Sequence, residues 1–572
     1  MKLIITEKPS VAMSIAKVLG VNDKKDGYIE GSGYIISWCI GHLVGLVSPE
    51  YYNEKYKKWS MEDLPIFPID FKYHVLPKVK KQFNILKKLM ERKDIKQVVN
   101  ACDAGREGEL IFRLVYHQAR CKKEIKRLWI SSMEDEAIRE GFENLKDGKD
   151  YDDLYKSASA RAKADWLVGM NLSRLYSLLY NQNYSIGRVQ TPTLAFIVKR
   201  DEEIRKFKKE KYYILELKTG EFNLTTEKID NLVIAEQLKN LLPETIKISH
   251  VEEKEKITKP DLPFDLTTLQ RECNRYFGYS AKQTLDYAQS LYEKKLITYP
   301  RTDSRYLTED MVASLTNNIL GKHDFDTDRI KVIFNSKKVT DHHAIIPTIS
   351  IKKEDIENLP ESEKKVFKLI ENKLHASVSY PLKEKLTRIV AIFDSFEFTA
   401  KGKVVIDEGF TKHLREYSLR DKEDGLLPKV NQGDMLEIEE KTIREKYTQP
   451  PKAYTEESIL KAMEIAGKED IEKGIEVERV GLGTPATRAG IIENLIYKGY
   501  IKREGKKLLP THTGSAVISI VAKELKDAKL TSDWETSLYY ISKGEMREED
   551  FLKEIENFIA RQIDLYKHVK DK

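Results

Sequence analysis

Residues 97–115 read QVVNACDAGREGELIFRLV, and this stretch largely determines the fold of the amino-terminal part of the chain. The apolar run at its start is typical of a buried strand, and the apolar run at its end is typical of a helix. Between them lies an acidic turn that contains Asp103 and Glu107. We therefore interpret the stretch as a strand, a turn and a helix of a parallel α/β sheet.

The beginning of the chain repeats this arrangement. Residues 2–5 read as a short buried strand, and the turn after it carries Glu7 and Lys8. The helix predicted next has an apolar face formed by Val11, Ile15, Val18 and Leu19. Because the loops at the carboxyl ends of parallel strands meet at one crevice, we expect Glu7, Asp103 and Glu107 to lie together.

Three carboxylates in one crevice predict a divalent metal site. Mg²⁺ takes oxygen ligands and often binds one or two carboxylates together with a substrate phosphate. Gly105 and Gly108, beside the acids, leave space for a phosphate to approach the backbone. The alternative interpretation is a helix start whose acidic residues complement the helix dipole.

The composition excludes several classes of protein. With 572 residues the chain is long enough for about three to five domains. Its 98 Lys and Arg against 92 Asp and Glu give a net charge of +6, which does not demand a polyanionic partner. There is no P-loop motif and no apolar run of the roughly 18 residues that a membrane span needs. We therefore expect neither a P-loop ATPase nor a membrane protein.

The cysteines indicate the cellular compartment. The four cysteines are widely separated in the sequence and form no CxxC pair. They are Cys39, Cys102, Cys121 and Cys273. This pattern argues against a zinc ribbon and against a disulfide framework. A reducing, cytoplasmic location is therefore predicted.

A second informative stretch is residues 297–304, which read ITYPRTDS. Pro300 disfavours a helical conformation at Tyr299 and ends the helical pattern of residues 281–295. We expect Tyr299 to be presented at the end of an element, two residues from Arg301, rather than packed. Taken alone, a tyrosine in such a turn is more often a satisfied surface or core aromatic.

These motifs, with others, resemble those of type IA DNA topoisomerases, and in particular the topoisomerase III branch with its TOPRIM domain. The resemblance extends along nearly the whole chain, and its motifs occur in the same order. They are residues 7–10, 38–43, 103–109, 129–132, 185–192, 297–304 and 341–348.

The resemblance implies a multidomain α/β plus α+β fold that forms a toroid. A Rossmann-like TOPRIM domain is expected at residues 1–150, and a discontinuous helical strand-binding domain at 151–207 and 446–572. A β-rich arch is expected at 208–259 and 376–445. A domain inserted into the arch, residues 260–375, carries Tyr299.

The resemblance also implies the chemistry. Tyr299 attacks one DNA strand and becomes joined to its 5′ phosphate, and Arg301 stabilises the charge that develops. Lys8 supplies a cation or a proton to the departing 3′ oxygen, Glu7 lies near the scissile phosphate, and His342 contacts the scissile region. A phosphodiester is exchanged for another ester, so no ATP is expected.

The metal site departs from the family pattern, which is Asp-x-Asp-x-Glu. Gly105 occupies the middle acidic position. Glu7, Asp103 and Glu107 are therefore expected to hold one Mg²⁺, and a ligand for a second ion is missing. No zinc is expected, because no cysteine-rich segment follows.

Several residues are expected to hold the single strand. The resemblance assigns this role to Trp59, Arg161, Trp166, Arg174, the run Ser185, Ile186, Gly187, Arg188, Val189 and Gln190, and to Arg301, Thr484 and Thr487. For Trp166 a position in the core is an equal alternative, and Trp59 is similarly ambiguous. A nucleotide-binding loop is the alternative for residues 481–488.

The leading functional hypothesis is an ATP-independent type IA topoisomerase that relaxes negative supercoils or decatenates DNA. Single-stranded or underwound DNA is its expected partner, it is expected to act as a monomer, and a helicase is a further candidate partner. The alternatives are a TOPRIM-type metal-dependent nuclease, in which Tyr299 only packs or stacks, and a strand-binding protein without catalysis.

Overall fold

A computed structural model describes residues 1–322, 325–339, 342–417, 427–467 and 481–567. Asp341, the first residue of the motif at 341–348, lies outside these ranges. No helix in the described ranges has both the length and the apolar character needed to cross a membrane.

The amino-terminal domain contains a mixed sheet flanked by helices. Its strands are β1 (Lys2–Thr6), β2 (Asp23–Lys25), β3 (Tyr28–Gly31), β4 (Tyr34–Trp38), β5 (Val44–Leu46), β6 (Tyr73–Val75), β7 (Gln97–Ala101), β8 (Glu124–Arg127) and β9 (Lys146–Asp147). Its helices are α1 (Pro9–Leu19), α2 (Lys80–Glu91), α3 (Arg106–Gln118) and α4 (Asp135–Glu143). Seven of these strands form a sheet in the order β2-β3-β4-β1-β7-β8-β9.

The centre of this sheet is parallel, as the sequence predicts. Strand β1 pairs with β4 and β7, and β7 pairs with β8, all in parallel. Leu3, Ile4, Val98 and Val99 are fully buried, because helices cover both faces. The turns after β1 and β7 therefore lie side by side at one edge of the sheet.

Two long helices and a second sheet follow. The helices are α5 (Asp152–Tyr180) and α6 (Gln190–Lys206). The sheet, which we call the arch, contains β10 (Lys211–Thr219), β11 (Phe222–Thr226), β12 (Thr245–Thr258), β13 (Leu382–Phe393), β14 (Phe396–Asp407), β15 (Met435–Glu437) and β16 (Glu440–Tyr447), with α7 (Leu232–Leu241) packed on it. Its strands are antiparallel, in the order β15-β12-β13-β14-β11-β10-β16.

A helical segment is inserted between β12 and β13. Its helices are α8 (Leu266–Phe277), α9 (Ala281–Glu293), α10 (Met311–Asn318), α11 (Thr327–Ile333), α12 (Lys353–Glu357) and α13 (Glu361–Val378). A capping box between Ser280 and Gln283 begins α9, and the helix ends at Glu293, two residues before the predicted end at 295. Lys295 adopts a left-handed conformation, with φ 66°, which turns the chain toward Tyr299 before the proline is reached.

The carboxy-terminal segment packs on the two long helices. It contains α14 (Glu456–Ile465), α15 (Pro485–Tyr497), β17 (Ile501–Glu504), β18 (Lys507–Pro510), α16 (His512–Ile520), α17 (Lys523–Lys526), α18 (Ala528–Ser542) and α19 (Glu548–Lys567). One apolar core contains side chains of α5, α6, α18 and α19, including Leu167, Leu194, Leu538 and Ile559. Segments that lie far apart in sequence thus form one folded unit.

Candidate active site

Tyr299 meets the acidic turn of the amino-terminal domain. Its hydroxyl donates a hydrogen bond to Oδ2 of Asp103, at 3.1 Å, and its backbone N–H donates to the carbonyl oxygen of Ser131, at 3.0 Å. The side chain is 5% exposed, so the expectation that it is presented rather than packed is wrong for this state. Pro300 does keep it out of a helix, but residues of another domain cover it.

The surroundings of Tyr299 keep its phenol protonated. Burial, and then the negative charge of Asp103, raise the pKa of Tyr299 well above its usual value. The rings of His342 and Tyr292 lie 4.4 and 5.3 Å from the Tyr299 ring, measured between centroids. Ionisation of Tyr299 thus requires additional positive charge nearby.

Arg301 provides positive charge between two of the predicted metal ligands. Its Nη1 lies 3.7 Å from Oε1 of Glu7 and 3.8 Å from Oδ2 of Asp103. Both carboxylates are buried. They lie together, as expected from the two adjacent parallel strands that precede them. The structure therefore brings together Glu7, Asp103, Tyr299 and Arg301.

Glu107 has a different partner. Its Oε1 accepts a hydrogen bond from Nε2 of His42, at 2.7 Å. Burial disfavours the charged form, but this bond and the charge of His42 hold the pKa of Glu107 below its usual value. Within the described ranges no three His, Cys, Asp or Glu side chains are arranged to hold a metal ion. The structure thus groups Glu7 with Asp103 and leaves Glu107 beside His42.

The Glu7 and Asp103 pair nevertheless suits a divalent cation. Oε2 of Glu7 is buried and has no hydrogen-bond partner. Burial, followed by the charge of Asp103, raises the pKa of Glu7 to about 7. An unsatisfied carboxylate oxygen beside a second carboxylate is the kind of donor set that Mg²⁺ prefers.

The backbone of the acidic turn is held from two sides. A Cβ at Gly108 would lie 2.0 Å from the backbone oxygen of Asp103, so a larger residue there would displace the turn. Arg127 is buried, and its guanidinium donates to the carbonyl oxygens of Cys102 and Asp103, at 2.7 and 2.8 Å. The carboxylate of Asp103 is thus placed by rigid neighbours.

His342 connects the inserted segment to the same turn. Its Nε2 lies 2.5 Å from the carbonyl oxygen of Ala104, and its Nδ1 lies 2.9 Å from Oγ of Ser131. A carbonyl oxygen only accepts, so Nε2 carries a proton. His343 instead contacts the carbonyl oxygen of Ala344, at 2.8 Å, and burial lowers its pKa to about 4.

Lys8 is held by the inserted segment. Its Nζ donates to Oε1 of Glu293, at 3.1 Å, and both side chains are about one-quarter exposed. Glu293 is the last residue of α9. Lys8 thus lies beside the buried acids, but its charge is shared with a residue of another domain.

A cavity of about 380 Å³ opens next to Tyr299. One wall is the acidic turn, and the opposite wall is the loop and helix start that contain Thr484 and Thr487. These threonines cap α15, because their hydroxyls and backbone groups bond to each other. Arg488, the last residue of the 481–488 run, also lines this wall and donates to Oγ1 of Thr267, at 2.8 Å.

Two predicted strand-binding arginines share one carboxylate. Arg161 Nη2 lies 2.5 Å from Oε2 of Glu535, and Arg188 Nη1 lies 2.7 Å from Oε1 of the same residue. Arg188 also donates to Asp165, at 2.9 Å, and is 6% exposed. Arg161 lines the cavity, whereas Arg188 lies behind its wall.

The remaining residues of the 185–190 run are held mainly by protein partners. Gln190 donates to the carbonyl oxygen of Ser185, at 2.8 Å, and accepts from Asn494. Ile186 is buried, and Gly187 and Val189 are partly exposed. The backbone of this run is therefore shaped before any ligand arrives.

The two tryptophans differ in their surroundings. Trp166 is 9% exposed, packs edge-on against Tyr52 and Phe71, and donates through Nε1 to the carbonyl oxygen of Val47. It is a core residue here, and this corrects the expectation that its ring is available to a base. Trp59 is 39% exposed and lies over the guanidinium of Arg174, at 5.2 Å.

Sequence reasoning missed several residues that hold the site in place. They are His42, Arg127, Ser131 and Glu535. His42 and Ser131 lie in two motifs that carry the resemblance, residues 38–43 and 129–132, but the motifs by themselves indicate no role for either residue. Nothing in the local sequence distinguishes Glu535 from the other acidic residues of α18 and its neighbours.

Comparison with known proteins agrees with the family that the motifs indicate. A family model described as DNA topoisomerase matches residues 149–553, and one described as Toprim domain matches residues 2–133. The chain is 40% identical to DNA topoisomerase 3 of Bacillus licheniformis, over 98% of this chain and 81% of that protein. It is 38% identical to DNA topoisomerase 3 of Bacillus subtilis, with the same coverage.

The fold comparison points the same way. Full-length topoisomerase I from Thermotoga maritima superimposes with a TM-score of 0.77 at 24% identity, over 98% of this chain and 90% of that one. The predicted multidomain fold with an amino-terminal TOPRIM domain is thereby confirmed. The chain belongs to the DNA topoisomerase family and is a type IA enzyme.

Proposed function

We propose that Tyr299 is the nucleophile with which this enzyme breaks one DNA strand and becomes joined to the 5′ phosphate. The observation that carries this proposal is the hydrogen bond from the Tyr299 hydroxyl to Asp103, at 3.1 Å, beside the guanidinium of Arg301. A phenol from one domain thus meets the acids of another at the edge of a cavity.

Residues of this site can supply the proton transfers that the cleavage step requires. The Tyr299 oxygen forms a bond to phosphorus, its proton passes to Asp103, and the bond from phosphorus to the 3′ oxygen breaks. The 3′ oxygen leaves with a proton, which we propose that Lys8 supplies once DNA displaces its contact with Glu293, and Arg301 stabilises the charge on the phenolate and phosphate. One phosphate ester replaces another, so the step reverses without ATP.

A Toprim domain implies use of a divalent metal, and we propose that Glu7 and Asp103 hold one Mg²⁺. When bound, the ion supplies positive charge that holds the 3′ hydroxyl and the phosphate together for resealing. Oε1 of Glu107 is engaged by His42, whereas Glu7 and Asp103 share Arg301, and we therefore propose a single ion held largely by these two carboxylates and water. No role for zinc is proposed.

We assign strand binding to the residues that remain accessible around the cavity. These are Arg161, Thr484 and Thr487 at the cavity, and Trp59, whose partly exposed ring lies against the buried guanidinium of Arg174 from α5. The first three backbone amides of the run from Ser185 to Gln190 donate to Tyr500, Ser173 and Thr191 within the protein, so we propose that this run shapes the wall rather than offering those amides to phosphates. Arg188 contributes through its position behind the wall, and Trp166 supports Tyr52 and Phe71 rather than a base.

We propose a division of the chain into domains, one of which moves during strand passage. Residues 1–150 carry the acids, 151–207 and 446–572 bind the strand, 208–259 and 376–445 form the arch, and 260–375 carry Tyr299. We propose that the arch swings the inserted domain away so that a second strand can pass. Relaxation of negative supercoils and decatenation both follow from that motion.

We further propose that one copy of the chain suffices, because residues of a single chain supply the tyrosine, the acids and the arginines. A helicase partner would provide the single strands that the cavity can accept. The four free cysteines support a reducing, cytoplasmic location.

Covalent capture on a denaturing gel tests the proposal. Single-stranded DNA labelled at its 3′ or its 5′ end is incubated with the wild type, with Tyr299→Phe and with Tyr292→Phe. We expect protein on the downstream, 3′-labelled fragment for the wild type and for Tyr292→Phe, a buried neighbour that keeps its ring. Free cleaved fragments from all three proteins would instead indicate a metal-dependent nuclease.

A further inference from the structure

Helix α18 contacts the proposed strand-binding wall from behind. Glu535 lies on this helix and is 6% exposed. Each of its carboxylate oxygens contacts a different arginine, Arg161 from α5 and Arg188 from the loop before α6, at 2.5 and 2.7 Å. These partners are 374 and 347 residues away along the chain.

The same helix also fixes the backbone at Arg188. Thr531 lies one helical turn before Glu535, and its hydroxyl donates to the carbonyl oxygen of Arg188, at 2.7 Å. Residues at positions i and i+4 of one helix thus hold both ends of Arg188. This arrangement is more specific than a surface ion pair, because Glu535 and Arg188 are both buried.

The charges in this group are nearly balanced. Arg161 and Arg188 face Glu535 and Asp165, and Asp165 is about half exposed whereas Glu535 is not. Burial disfavours ionisation of Glu535, but the charges of Arg161, Arg188 and Arg106 outweigh it and lower its pKa to about 2. Glu535 is therefore an anion at neutral pH, and without it the guanidinium groups of buried Arg188 and partly exposed Arg161 would repel each other.

We propose that Glu535 is a positioning residue for strand cleavage, which holds the guanidinium of Arg161 at the cavity wall where it meets the DNA backbone. This inference rests on the proposed function, because it takes Arg161 to be a strand-binding residue. Glu535 itself does not contact the strand. It acts through the arginines, and its negative charge weakens rather than strengthens general attraction of DNA.

The proposal predicts a separation of binding from cleavage. In Glu535→Gln the amide keeps an acceptor oxygen but loses the charge, so Arg161 is no longer fixed. We expect single-stranded DNA to bind at least as tightly as to the wild type, since a negative charge near the strand has been removed. We expect the rate of covalent adduct formation to fall by about 100-fold. This is the typical effect when the reacting phosphate is held about 1 Å from its productive position.

The measurements are filter binding of a labelled oligonucleotide over a range of salt concentrations and the rate of adduct capture. Glu524→Gln, which removes the same charge from the exposed face of α17, is the matched control and is expected to cleave at the wild-type rate. Loss of both binding and cleavage in Glu535→Gln would indicate a general folding role and would overturn the proposal. Cleavage at the wild-type rate would also overturn it.

A double-mutant cycle shows whether Glu535 acts through Arg161. In an Arg161→Ala background, Glu535→Gln is expected to reduce the rate of adduct formation by no more than about twofold further, because the interaction is already gone. An undiminished effect in that background would contradict the inference. Failure of the proposed function looks different, since the wild type itself would then form no Tyr299-dependent adduct.

Discussion

The unsatisfied oxygen of Glu7 is the residue-level feature that most needs an explanation. A buried carboxylate oxygen without a hydrogen bond is costly, and Arg301 approaches the other oxygen only to 3.7 Å. A cation between Glu7 and Asp103 would satisfy this oxygen and would favour the ionised form of Glu7. The site is therefore best understood as prepared for a metal ion but supplied with few protein ligands.

Replacement of Gly105 tests the number of ligands. A Cβ at Gly105 meets no atom within 4 Å, so Gly105→Asp has space for a third carboxylate beside Asp103. We expect Mg²⁺ to bind about tenfold more tightly to this variant, which corresponds to about 1.4 kcal/mol. Isothermal calorimetry on the DNA-free protein measures this directly.

Gly105→Asn is the control for this experiment. It bears the same backbone cost at φ 159°, but it adds no charge. Its Mg²⁺ affinity is expected to stay close to that of the wild type. Equal affinities for the Asp and Asn variants would show that the side chain at residue 105 does not reach the ion.

The two βα units were predictable from sequence for a simple reason. Hydrophobic patterns identify β1, α1, β7 and α3, and parallel pairing places the turns that follow β1 and β7 at one edge. The position of Glu7 next to Asp103 follows from these local rules. The partner of Glu107 does not, because His42 belongs to the segment between β4 and β5, for which no regular pattern exists.

The contact of helix α18 with α5 should make the stability of the folded protein depend on pH in the acidic range. The pKa of Glu535 is about 2 in the folded state, against about 4.3 for an unfolded chain. The depressed pKa contributes about 3 kcal/mol of stability that is present above about pH 4.3 and is lost as the pH falls toward 2. The difference in stability between the wild type and Glu535→Gln should therefore disappear as the pH falls from about 4.3 toward 2.

Thermal unfolding of both proteins between pH 6 and pH 2 checks this expectation. The wild type should have the higher Tm at pH 6, and the two curves should converge near pH 2. A difference in Tm that stays constant with pH would mean that Glu535 stabilises the helices by packing rather than by charge.

At the level of the whole molecule, the candidate active site is a contact between the inserted segment and the amino-terminal sheet. Tyr299, His342 and Glu293 of the inserted segment touch Asp103, Ser131 and Lys8 of the amino-terminal domain. The burial of Tyr299 depends on this contact and therefore differs from the expected presentation, whereas Trp166 takes the core position that its helical spacing gives as one of two alternatives. Local sequence indicates which residues are chemically able to act, whereas the residues that cover them come from distant parts of the chain.

If the inserted domain must swing away for strand passage, a tether across this contact should block passage and spare cleavage. Ser350 donates a hydrogen bond to Glu134, and the two residues belong to the two sides of the contact. In a Cys121→Ser background, Glu134→Cys and Ser350→Cys are joined by a short reducible bis-thiosulfonate reagent. Cys121 is replaced because it is the partly exposed cysteine.

The tethered enzyme is expected to form the Tyr299 adduct on a short oligonucleotide, because the closed contact already holds the site together. The same preparation should not change the linking number of an underwound plasmid until a reducing agent releases the tether. A pair within one helix, Lys87→Cys with Glu91→Cys on α2, controls for the reagent and should not affect either assay. Plasmid relaxation by the tethered enzyme would show that the strand passes elsewhere and that this contact does not open.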